Sequence, residues 1–160
     1  MVEVVDRLRV LEGWGMFAPE PPYDDGHLVV DGRTEDGRKL DPFTGQAPNF
    51  DPYAPHGWGH EQFWCDYNNK LRFPWFVQHR AYFEQYLLRW HEYADRSSDK
   101  LVAFDVWWVH DRSPKPGEER GQPMSPQKLI SHGAVKDSGA REWQSRRKNQ
   151  KRLPPRKEQP

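Results

Sequence analysis

Leu101-Val102-Ala103-Phe104-Asp105-Val106-Trp107-Trp108-Val109-His110 is the stretch on which the fold turns. Val102, Phe104, Val106 and Trp108 alternate onto one face. Leu101, Ala103, Trp107 and Val109 alternate onto the other, interrupted by Asp105. A short apolar run rich in β-branched and aromatic side chains reads as a central strand covered on both faces. It predicts an α+β architecture: a small antiparallel sheet of three or four strands, made of a hairpin plus this central strand, packed by two helices.

The flanking segments supply those parts. Upstream, Arg96-Ser97-Ser98-Asp99 breaks a helix over about Val77 to Ala94, whose stripe is Phe83, Leu87, Trp90 and Ala94 with Tyr82, Tyr86 and Tyr93 beside it. An earlier helix, Glu61 to Phe73, carries Phe63, Trp64, Tyr67 and Leu71 and is stopped by Pro74. His27–Asp31 and Arg38–Pro42 form a hairpin around Asp36-Gly37, a strong turn signal. Residues 41–59 carry too many Pro and Gly for either period and form a long connection, held by Phe43, Phe50, Tyr53 and Trp58. Downstream, Ser113–Pro126 is a linker and Lys128–Ser131 a last short strand. Val4, Leu8 and Leu11 give residues 1–13 an amphipathic lead-in helix that ends at Gly13. The expected division is therefore lead-in 1–13, one α+β domain 14–133, and a disordered basic tail 134–160.

Only 35% of the 160 residues are hydrophobic, so eight Trp, eight Phe and six Tyr must carry much of the burial. The zero net charge hides an asymmetry: residues 136–160 hold nine Lys/Arg against three acids, leaving the rest of the chain acidic. One cysteine excludes an intrachain disulfide, and no apolar run approaches the ~18 residues of a membrane helix. With no signal-peptide core either, the chain as given is expected to be soluble, with peripheral association to a membrane as the alternative.

The order of motifs resembles a known family. Trp14-Gly15-Met16-Phe17-Ala18-Pro19 precedes Leu28-Val29-Val30, Asp36-Gly37-Arg38 and Asp41-Pro42-Phe43-Thr44-Gly45. Trp64-Cys65-Asp66-Tyr67, Tyr86-Leu87-Leu88-Arg89-Trp90, Val102–Val109 and Ser113-Pro114 follow. Together, from about residue 11 to 133, they are similar to the extramembrane C-terminal region of bacterial HTTM-type membrane proteins, relatives of the vitamin K-dependent gamma-carboxylase. Family members carry several membrane helices before this region, and this sequence has none. The resemblance implies an accessory module without a catalytic residue or cofactor, docking through aromatics on a membrane helix bundle or on itself. Independently of the resemblance, the chain carries more large aromatics than a body of this size is expected to bury, and the interaction surface expected from them comprises Trp14, Met16, Phe17, Trp58, Trp75 and Trp107.

Several polar residues offer chemistry against a structural alternative. His56, His60 and Glu61 lie within six residues and could ligate a metal ion, making a small metal-dependent enzyme or ligand-binding domain. The alternative gives them capping, turn and packing roles. His91-Glu92-Tyr93-Ala94-Asp95 only approximates a zinc-helix pattern, because Asp95 stands where the second His would be. Cys65 is either a nucleophile with His60 as base or a small buried side chain. Asp105 is either a general acid/base with His110 or His27, or a carboxylate paired with Arg72 or Arg89, and the pairing is favoured. The basic tail can touch an anionic membrane. Nucleic acid is not expected as a partner, because no basic face on the body extends the tail.

Overall fold

The Asp36-Gly37 signal closes the hairpin it predicts. In the computed structural model, which describes residues 24–53, 62–114, 117–118, 123–135 and 137–150, β1 (His27–Thr34) pairs antiparallel with β2 (Lys39–Leu40). Gly37 takes φ +83, a conformation open to glycine at little cost, and donates its N–H to Thr34. β3 (Leu101–Val109) lies between β1 and β4 (Gln127–His132), so the described sheet runs β2-β1-β3-β4, antiparallel throughout. The central, doubly covered strand is β3, as its composition predicts.

Two register shifts re-aim its neighbours. Arg33 faces Ala103 and Thr34 faces Leu101, so Val102 is passed over and bulges outward, 48% exposed. Leu101 thereby joins Phe104, Val106 and Trp108 on the front face, against simple alternation, which places Val102 there. In β4 the pairing steps from Ile130 to Lys128, and the extra residue, Leu129, enters the same front core as Ile130.

That front core is covered by α1 (Gln62–Leu71) and α2 (Val77–Leu88), which seat Leu71, Phe83 and Leu87 on the sheet. Pro74 ends the first helix and starts a 3-10 turn, Pro74–Phe76, because its ring fixes φ and supplies no N–H. The expected single helix to Ala94 is divided at Arg89: α2 stops at Leu88, and a separate turn, α3 (Trp90–Tyr93), follows. Phe43 reaches into the seam, tilted against Trp90 at 5.0 Å and stacked on Phe83 at 6.3 Å, while Tyr86 stacks on Tyr93 at 5.6 Å. Among the described residues the buried core is nevertheless mostly Leu, Ile and Val, joined by Phe50, Phe83, Phe104, Trp107 and Trp108, and the other rings pack around it partly buried or exposed.

The back face holds Val29, Trp107, Val109 and Phe50, the last brought round the β2 edge by the connection after Asp41. Its cover corrects one expectation. Within residues 134–160, Gly139–Gln150 forms a helix, α4, with Ala140 fully buried and Trp143 packed on the back-face cluster. Its first turn is anchored three ways. The Gly139 N–H donates to Asp31 at 2.7 Å, Arg33 donates to the Asp137 carbonyl at 2.9 Å, and Lys39 pairs with Glu142 at 3.0 Å. A carboxylate at a helix N-terminus meets both its unpaired N–H groups and its positive end. The lead-in helix expected over 1–13 lies outside the described residues.

Candidate functional site

The aromatic residues divide by position along the chain. Trp107 and Trp108, in β3, are 9% and 2% exposed. Trp107 meets Phe50 edge-on at 6.1 Å, and the Lys128 ammonium lies 4.9 Å from its ring centre. Trp107 is therefore removed from the proposed interaction surface; α4 and the connection after β2 seal the face it occupies. Trp75 is 67% exposed, Val77 56% and Tyr82 71%, all within the 3-10 turn and α2. Trp14, Met16, Phe17 and Trp58 lie outside the described residues.

Rings join along this segment. Phe73 stacks on Trp75 at 4.8 Å with the Arg72 guanidinium 4.7 Å from the Phe73 ring centre. Phe76, His79 and Tyr82 follow at three-residue steps, their rings 5.5 Å and 6.4 Å apart in turn, with Lys70 5.9 Å from Phe76. Half-exposed aromatics flanked by cations have an apolar body and a polar rim, the composition of both interface hot spots and membrane-water belts.

Arg72 links that surface to a polar hub. Its guanidinium pairs with Asp24, and the same carboxylate accepts from Trp108 Nε1 at 3.0 Å and from His110 Nδ1 at 2.8 Å. The other Asp24 oxygen accepts the backbone N–H of Asp111 at 3.1 Å and of Gly26 at 3.2 Å. Burial pushes the Asp24 carboxyl up. The hydrogen bonds from His110 and Trp108, with the charges of His110 and Arg72, outweigh it and hold the carboxyl below its ordinary range. This hub fixes the point where residue 24 meets the body.

Asp105 is buried, and its partners differ from those expected. It pairs with Lys128 at 2.7 Å and accepts from Ser131 at 2.6 Å. Arg72 is committed to Asp24, and Arg89 to Glu92 at 2.9 Å. His110 bonds Asp24 and His27 sits at the far end of the β1–β3 pairing, so neither forms an acid/base pair with Asp105. Asp31, opposite Asp105 in the register, is fully buried and salt-bridged to Arg33 at 2.7 Å.

Asp41 is a further buried carboxylate. Sequence reasoning noticed its Asp-Pro-Phe-Thr-Gly motif without a physical role for it. β2 ends at Leu40, and the Asp41 side chain accepts the Val30 N–H, beyond the last ladder pair, at 3.2 Å, together with the Phe43 N–H at 3.0 Å. Burial pushes its pKa up to about 6; the N–H donors of Phe43 and Val30 oppose the shift and the charge of Asp31 adds to it.

His56, His60 and Glu61 lie outside the described residues, and among the described residues no three His, Cys, Asp or Glu gather to hold a metal ion. His91 stands in α3, Glu92 is taken by Arg89, and Asp95 follows at φ 50. Cys65 falls within α1. Among the described residues no helix is long and apolar enough to cross a membrane. No family model, curated protein or solved structure matches this chain.

Proposed function

We propose that the chain is a non-catalytic interaction module, comparable to the extramembrane C-terminal domain of HTTM-type proteins, that docks through aromatics on a membrane helix bundle. The exposure of Trp75, Val77 and Tyr82 carries this reading, since nearby tryptophans of the same chain are sealed inside. Three large apolar side chains in one short segment favour a surface that a partner covers. Lys70 and Arg72 beside the rings suit the lipid-headgroup boundary where such a bundle ends. Asp24, the first described residue, is held by Arg72 beside Phe73. The buried acids favour no reaction, because each is engaged by donors from its own sheet or turns.

A W75S/Y82S double variant tests the reading. Its circular dichroism should match the parent, because both side chains point to solvent, while binding of an apolar dye and co-sedimentation with membranes fall severalfold. Unchanged membrane recovery and dye binding would sink the docking role.

A further inference from the structure

We propose that the cleft between Pro123–Ser125 and α4 binds a small phosphate-bearing ligand, its phosphate on Arg147, Lys148 and Ser125 and its carrier against the Trp143 indole. The cleft has a volume of about 270 Å³ and is lined by Ser125, Trp143, Gln144, Arg147 and Lys148. That size suits a headgroup or a phosphate monoester, and is far too small for a nucleic-acid duplex. Among the described residues the lining contains two cations, a hydroxyl, an amide and an aromatic wall, and no carboxylate.

Arg147 is already positioned. Its Nη1 donates to the Pro123 carbonyl at 2.5 Å, and its guanidinium lies 4.8 Å from the centre of the Trp143 ring. One bond of that kind leaves most of the five guanidinium N–H donors available, in the planar fork that matches phosphate oxygens. Ordering a long cationic side chain opposes binding wherever it must happen at the moment of contact; here the fold has done it beforehand. The acid of α4's first turn, Glu142, is drawn to Lys39 on β2 instead. Lys148 adds a second positive charge one residue on, so a dianion meets two cations at once. An indole face beside them accommodates a flat or apolar carrier. This inference stands apart from the aromatic docking surface, which lies on α2, and either can hold without the other.

Inorganic phosphate and phenyl phosphate, titrated against the full chain and followed on the Trp143 indole N–H resonance, test it. Phenyl phosphate should bind about tenfold more tightly than inorganic phosphate, because only it reaches the indole. K148Q and R147Q should each weaken it about tenfold, while K100Q, at a salt bridge with Glu35, leaves it unchanged. K148Q alters an exposed residue, so its loss of binding cannot be ascribed to unfolding. Vesicles of phosphatidylcholine with phosphatidic acid separate the sources. Flotation lost in K148Q and competed by phenyl phosphate identifies a lipid headgroup; soluble binding without flotation identifies a free monoester. If neither ligand moves the Trp143 resonance and the vesicles do not bind, or if K148Q and R147Q bind as well as the parent, the site does not exist.

Discussion

Asp41 shows how one residue finishes the end of a strand. β2 stops after two residues, and the Asp41 carboxylate accepts the Val30 N–H that lies beyond the last ladder pair. The contact has a pH signature whose sign follows from the shift. Raised from 3.8 to about 6, Asp41 binds its proton more tightly folded than unfolded. Its contribution is therefore fully present below about pH 4 and is lost as pH rises through about 6, a swing of about 3 kcal/mol. In D41N that segment of the stability-pH curve should vanish, so the parent loses about 3 kcal/mol relative to the variant between pH 4 and 7. Carbon-detected NMR of the Asp41 carboxyl should find its midpoint near 6; a midpoint near 4 would mean the group is solvated. The motif was visible in the sequence, but its purpose was not, because nothing local says that β2 ends at Leu40.

At the scale of elements, α4 is the instructive case. It is polar around most of its circumference, and Trp143 is its one aromatic, so no amphipathic stripe announces it. Its burial is confined to one end, where Ala140 meets the back-face core and Gly139 meets Phe50. A Cβ on Gly139 would lie 2.8 Å from the Phe50 ring and 3.7 Å from the Asp31 carboxylate that the Gly139 N–H serves. We expect G139V to cost about 2 kcal/mol, by overpacking and by weakening that cap. Urea denaturation should register the loss, and a variant as stable as the parent would show that the helix docks some other way. The strands were legible because their alternation is local and strong. The bulges at Val102 and Leu129 were not, since register depends on the partner strand. Trp107 was read as surface for a related reason: its cover arrives from the tail and from Phe50, both distant in sequence. Trp75, one of the aromatics that a body of this size was not expected to bury, is exposed.

For the whole molecule, the body and the first part of the basic tail are one unit. Removing residues 135–160 would strip the cover from Phe50, Trp107 and Val109 and leave Asp31 without the Gly139 N–H. Such a truncation should lower Tm by several degrees and bind an apolar dye through the back face, measured by calorimetry and dye fluorescence. Unchanged Tm and no new dye signal would show that the sheet closes without its tail. The exposed aromatics proposed above for docking are separate from this, on the far layer of helices. The shape of the sheet's rims has a consequence for how copies of this protein meet. At one rim only two residues lie in ladder conformation, and the chain then folds over it; at the other, the strand is kinked by Leu129 and carries Lys128. Neither rim offers a straight template for another backbone to zip onto, so crowding should not drive cross-β polymerisation, and contacts between molecules are left to side chains on the flanks.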